Sequence, residues 1–214
     1  MTFRSILIYG KPVYFTLLSP QPLYSKIRAL PLCLKILSLN RLDHMNDRPK
    51  YTTIRTAAGW VGILASPAGL LSTTLPQSSA DEAHRSLGEK GNQAEYCPGL
   101  FEDLAERLQN YLGGIKTSFT DVLDLSAATL FQRKVWETTR LIPYGETRSY
   151  RWVAGQTGNP RAARAVGQAL GRNPLPIIIP CHRVIASDGR LGGFTGGLEM
   201  KRRLLRLETT GSGI

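Results

Sequence analysis

From residue 51 onward, apolar and polar positions alternate in short runs that turn residues interrupt. Residues 51–56 are rich in β-formers, and Ala57-Ala58-Gly59 supplies a turn. Residues 60–65 read as a second strand, and Pro67-Ala68-Gly69 turns the chain into a third at 70–75. The pattern then changes period. Ser79 with Glu82 has capping-box spacing, and Phe101, Leu104, Leu108, Tyr111 and Leu112 recur on one helical face until Gly113-Gly114. Residues 122–125 read as a last strand. The expectation for 45–125 is a small α+β domain with an antiparallel sheet and no chemistry of its own.

A second helical region follows. Thr129 with Gln132 is another capping-box pair, opening a helix that carries Phe131, Val135 and Trp136. The loop at Ile142-Pro143-Tyr144-Gly145 ends it. Thr147 or Ser149 then caps a short helix through Tyr150, Trp152 and Val153. Gly158-Asn159 turns the chain, with Asn159 as the next N-cap and Pro160 at the first helical position. That helix runs to about Gly171. Helix, short turn, helix is the arrangement of many DNA-binding domains. On a helical wheel Arg161, Arg164, Gln168 and Arg172 share one side, while Ala162, Val166, Ala169 and Leu170 share the other. Residues 126–210 are thus expected to form a helical C-terminal domain.

Residues 1–44 fit neither period. They mix apolar runs with scattered Lys and Arg and contain Pro12, Pro20, Pro22 and Pro31. The expectation is a basic extension outside the functional fold, with Met45 as an alternative start. No charged, apolar and small-residue order marks a targeting peptide. No stretch is apolar for long enough to span a membrane, so no membrane partner is expected.

Charge sharpens the division. The net charge of +11 is distributed as +5 over residues 1–44, −3 over 45–128 and +9 over 129–214. A basic C-terminal part beside a mildly acidic middle suits a polyanionic partner. A basic surface kept for solubility is the plainer alternative. The cysteines are Cys33, Cys97 and Cys181, at spacings that match no disulfide or zinc pattern. A reducing, cytoplasmic location is expected. No GxGxxG follows a strand and there is no P-loop, so no nucleotide cofactor is expected.

The apolar run Ile177-Ile178-Ile179 reads as a buried strand ending at Pro180-Cys181-His182-Arg183-Val184. A cysteine where a buried strand meets a polar loop is a candidate nucleophile. Taken alone, an inert core cysteine is the commoner case.

The Pro-Cys-His-Arg-Val stretch resembles the active-site signature of the O6-alkylguanine-DNA alkyltransferases, the methylated-DNA–protein-cysteine methyltransferases. So, in the same order, do 145–150 (GETRSY), 158–167 (GNPRAARAVG) and 192–198 (GGFTGGL). The similarity runs from about Thr129 to Glu208, more weakly over 51–75, and not over 1–44. It implies a ribonuclease H-like N-terminal domain and a winged-helix-like C-terminal domain whose helix-turn-helix enters the minor groove. It also implies an irreversible, stoichiometric transfer of the alkyl group from O6-alkylguanine in duplex DNA to a cysteine, with no cofactor.

By the same resemblance Cys181 is the nucleophile, and His182 the base that takes its proton through a water. Glu208 is the acid that holds the histidine. Its spacing from Leu204 and Leu205 turns the carboxylate toward the packed side of the last helix, where it needs a partner. The relay is expected to favour thiolate near neutral pH, against an ordinary thiol pKa of ~8.5. Tyr150 lies by the base pocket and Asn173 supports the turn near the nucleophile. Arg164 fills the gap left by the flipped nucleotide; Arg161, Ala163 and Gln168 lie on the same DNA-facing helix. Val184, Phe194 and Thr195 line the base pocket. A structural zinc carried by some members finds no matching spacing among Cys33, His44, His84 and Cys97, so no metal is expected. The protein is expected to act as a monomer. The rivals are a DNA-binding regulator or damage sensor with a merely buried Cys181, and a cysteine hydrolase that turns over repeatedly.

Overall fold

The computed structural model describes Ser5–Ile8, Lys11–Tyr14 and residues 48–210. Most of the extension read at 1–44, including Cys33 and His44, lies outside the described residues. Within it β1 (Ser5–Ile8) and β2 (Lys11–Tyr14) pair antiparallel. By its contacts the chain divides into Met1–Asn46 and Asp47–Ile214.

The meander forms as its turns direct. Strands β3 (Lys50–Thr56), β4 (Gly59–Ser66) and β5 (Gly69–Thr73) are joined by tight hairpins. Gly59 (φ 130°) and Gly69 (φ 144°) take backbone angles open to glycine. Helices α1 (Ala80–Arg85) and α2 (Gly88–Asn92) follow, and the two-residue β6 (Glu95–Tyr96) returns beside β3. That last pairing is parallel, giving the order β5-β4-β3-β6. The sheet is therefore mixed, not purely antiparallel, because two helices carry the chain back across it before β6. Helix α3 (Glu102–Leu112) then buries Leu104, Leu108, Tyr111 and Leu112, the face that its periodicity marked.

Several local expectations need correction. At Ser79 only half of the capping box forms: Ser79 accepts from the Glu82 N–H, but the Glu82 carboxylate goes to Ser78 instead. Residues 122–125 make no strand. Leu123 only bridges Leu70, through Leu70 N–H to Val122 O and Asp124 N–H to Leu70 O. Residues 177–179 are buried but not extended. Ile177 sits at φ 74° and Ile179 N–H turns back to Leu175 O, since prolines at 174, 176 and 180 deny the segment the donors of a ladder.

Helix α4 (Leu130–Arg140) opens with both arms of the Thr129–Gln132 capping box in place. A two-residue strand β7 (Arg148–Ser149) leads into α5 (Tyr150–Gln156), capped by the Ser149 hydroxyl. The next helix begins later than Asn159 suggests. Asn159 Oδ1 accepts from Arg161 N–H and closes a turn at 159–162, so α6 spans Ala163–Gly171. Helix α6 is fixed from behind: Trp136 Nε1 of α4 donates to Ala169 O at 3.0 Å. The chain ends its described part in α7 (Gly197–Thr210). One apolar core runs from Val61 and Ile63 of the sheet through Leu108, Val135 and Val166 to Leu204 and Leu207.

Candidate active site

Cys181 stands on a one-turn 3₁₀ helix, Cys181–Arg183, followed by the short strand β8 (Val184–Ile185). β8 pairs parallel with β7, Arg148 opposite Val184 and Ser149 opposite Ile185. This pairing sets the start of α5, and hence Tyr150, beside the nucleophile's loop. From the other side, β5 grips the approach: Thr73 N–H and Ser72 Oγ donate to Pro174 O, and Thr73 Oγ1 donates to Pro176 O. The N-terminal sheet thus braces the strained 174–179 segment.

Asn173 organises that segment from the end of α6. Its Oδ1 accepts from Leu175 N–H at 2.9 Å. Its Nδ2 donates to Ile179 O at 2.9 Å and to Cys181 Sγ at 3.1 Å. Sγ looks into a cavity of about 280 Å³ shared with Asn173, Phe194, Thr195, Gly196 and Leu75. Thr195 is exposed, with its hydroxyl on Gly171 O, while Val184 is fully buried and lies outside the cavity lining. Tyr150 is half-buried, and its hydroxyl donates to Gly193 O at 3.2 Å.

Behind Cys181 lies a closed polar hub. His182 is fully buried, and its Nε2 is 2.8 Å from Glu208 Oε1. Glu208 is also almost fully buried. Its carboxylate takes Arg183 Nε (2.9 Å to Oε2) and Nη2 (2.9 Å to Oε1), Tyr111 Oη (2.6 Å to Oε1) and Gly145 N–H (3.0 Å to Oε2). Burial alone would raise the carboxyl pKa, but the His182 and Arg183 contacts outweigh it and hold it at about 2. Glu208 is therefore a fixed anion. Its acceptor oxygen assigns the ring proton of His182 to Nε2, leaving Nδ1 as a lone pair with no partner among the described residues.

The thiol departs from the expected resting thiolate. Burial pushes the Cys181 pKa up, although the Asn173 hydrogen bond and the charge of Lys201 pull the other way. Burial also lowers the His182 pKa, against the pull of Glu208. Burial thus favours the neutral form of both the thiol and the imidazole.

Sequence reasoning found Cys181, His182 and Glu208, which the fold brings to one place. It missed Arg183, Gly145 and Lys201, and it read Tyr111 only as a core position. Lys201 is wholly buried, with Nζ donating to the carbonyls of Val184 (2.6 Å) and Leu191. It lies over the rings of Tyr150 (5.8 Å) and Phe194 (6.0 Å). Burial brings its pKa down to about 8, partly opposed by Cys181. A lysine buried with no carboxylate partner among the described residues is a feature that only the structure shows. Arg164 and Gln168 on the outer face of α6, with Arg161 just before it and Arg172 just after, are all exposed, and Ala163 is partly so.

Residues 130–210 match the family described as 6-O-methylguanine DNA methyltransferase, DNA binding domain. A methylated-DNA–protein-cysteine methyltransferase of Mycobacterium tuberculosis is 52% identical over 111 residues, covering 52% of this chain and 67% of its own length. One from Methanosarcina barkeri is 51% identical over 109 residues, covering 51% and 68%. The crystal structure of M. tuberculosis OGT in complex with DNA superposes with a TM-score of 0.65 at 40% identity, over 77% of this chain and 95% of that one. The chain belongs to the methylated-DNA–protein-cysteine methyltransferase family.

Proposed function

We propose that this protein reverses alkylation damage in duplex DNA by moving the alkyl group of O6-alkylguanine, and of O4-alkylthymine, onto its own Cys181, once per molecule. The observation that carries the reading is a cavity-facing thiol held by Asn173, with a buried His182–Glu208 pair behind it whose free nitrogen is a base. In the reaction the Sγ–carbon bond forms as the O6–carbon bond breaks. The thiol proton passes, through a water, to His182 Nδ1, and the electron pair of the broken bond leaves with guanine. The imidazolium that forms is stabilised by the fixed anion of Glu208. No cofactor is consumed, since the damaged base is the alkyl donor.

The base must leave the stack to reach Sγ, at a cost of a few kcal/mol. The exposed Arg164 on α6 fills the gap it leaves, and Arg161, Ala163 and Gln168 lie along the strand. Phe194 and Thr195 wall the base pocket, Val184 backs it, and the Tyr150 hydroxyl turns from Gly193 to the departing guanine. The working species is a cytoplasmic monomer.

The test is intact mass after mixing with a duplex that contains one O6-methylguanine. The expected result is one added methyl, absent in Cys181→Ala. Tight selective binding without a mass change would make the protein a damage sensor. No change and no preference for damage would sink the repair reading.

A further inference from the structure

The proposed reaction leaves the buried contacts of Tyr111 unused. This residue comes from α3, far in sequence from the nucleophile's loop, and is wholly buried. Its Oη is 2.6 Å from Glu208 Oε1 and 3.2 Å from His182 Nε2. Burial and then the charge of Glu208 push its hydroxyl well above the ordinary tyrosine range, so it keeps its proton. That single proton is committed to Glu208, the nearer and charged acceptor. What the phenolic oxygen turns toward Nε2 is a lone pair. Nε2 therefore faces two acceptors, Oε1 at 2.8 Å and Oη at 3.2 Å, and only a protonated Nε2 suits both.

A buried tyrosine needs a partner for its hydroxyl, and any backbone carbonyl would serve. Here the partner is the relay carboxylate itself. The ring is placed independently of the hydroxyl, by edge contacts with Phe119 (5.8 Å) and Tyr144 (6.1 Å). We propose that Tyr111 is a positioning residue for alkyl transfer: its hydroxyl steadies Glu208 and locks His182 in the Nε2–H tautomer, keeping Nδ1 open toward Cys181. The proposal rests on His182 acting as the base.

Removing the hydroxyl has a signed consequence. The charged and titratable groups that act on the His182 ring are Glu208 and Lys201 from α7, Arg183 of its own turn, and Tyr111 from α3. The Tyr111 hydrogen bond draws charge off Oε1. Without it the carboxylate holds the imidazolium more strongly, and His182 stays protonated to higher pH. Its Nε2 also loses one of the two acceptors that select the tautomer.

The experiment compares the whole chain with Tyr111→Phe and with Leu108→Ala, a control on the same buried face of α3. Single-turnover transfer from an O6-methylguanine duplex is followed across the ordinary histidine range, and the His182 tautomer is read from ¹⁵N shifts in labelled protein. In Tyr111→Phe the acid limb of the rate should move to higher pH and the ring shifts toward tautomer averaging. Transfer on that limb should slow about tenfold, short of the ~10²–10⁴ that a direct acid–base group supplies. Leu108→Ala should lower the melting temperature and leave limb and tautomer in place. A Tyr111→Phe protein with the wild-type limb and tautomer overturns the role, whatever its melting temperature. A wild-type chain that gains no methyl overturns the proposed function and this role with it.

Discussion

Gly192 shows how closely the Tyr150 ring is packed. Its φ is 68°, in the left-handed region, and a Cβ there would lie 2.8 Å from both Cε2 and Oη of Tyr150. Gly192→Ala therefore carries two penalties. The backbone strain costs about 1–2 kcal/mol, and the Tyr150 ring must move off its contact with Gly193. The expected outcome is a modest fall in melting temperature with a much larger fall in the rate of transfer from O6-methylguanine DNA. Rapid-quench rates and a thermal melt on the same preparation check it. A wild-type rate with a lowered melting temperature would remove Tyr150 from the neighbourhood of the reacting base. Lys201 tightens the same corner, since its ammonium sits over the Tyr150 and Phe194 rings while its two backbone bonds fix it in place. Its charge also pulls the Cys181 pKa down, against the larger upward push of burial.

Helix α6 presents two chemistries on two faces. Its inner face packs Val166, Ala169 and Leu170 under the Trp136 bond, and its outer face exposes Arg164 and Gln168, with Arg161 just before it. If Arg164 occupies the place of a flipped nucleotide, Arg164→Ala should slow transfer from duplex DNA and barely alter transfer from free O6-alkylguanine base. Arg161→Ala should instead weaken binding evenly across sequences and lower the salt dependence of log K by about one phosphate contact. Equal loss on duplex and on free base would place Arg164 in the fold rather than at the DNA. This element was legible in the sequence because one face is buried, and burial writes its period into the residues. The same holds for β3, β4, α3 and α4. Legibility failed at 177–179, where a buried apolar run is turned by its flanking prolines, and at β6, whose two residues carry no period. In the site, Cys181 and His182 were legible as neighbours in the chain. Tyr111, Gly145 and Lys201 were not, because α3, the 145 loop and α7 come to the Glu208 hub and its surroundings only through tertiary packing.

At the scale of the molecule, Glu208 ties the hub together. Its carboxylate joins α7 to α3 through Tyr111, to the nucleophile's turn through His182 and Arg183, and to the loop before β7 through Gly145. His182 and a clasp of the fold therefore share one anion. The pH dependence follows from two signs. The His182 pKa is lowered in the fold, so the stability of its buried neutral form is complete above the ordinary 6.5 and is lost as pH falls below it. The Glu208 pKa is lowered from 4.5 to about 2, so its contribution is complete above 4.5 and is lost between there and about 2. Both act in the same direction, and the fold should weaken steadily on acidification below neutral. Glu208→Gln should cost about 3–5 kcal/mol at neutral pH, because Arg183 is left buried without its partner. In exchange the variant should lose the steep leg below pH 4.5. Urea denaturation of both proteins over the acid range measures this directly. Parallel stability curves for wild type and Glu208→Gln would show that the carboxylate is no clasp, and that the core running from Val61 to Leu207 holds these segments together without it.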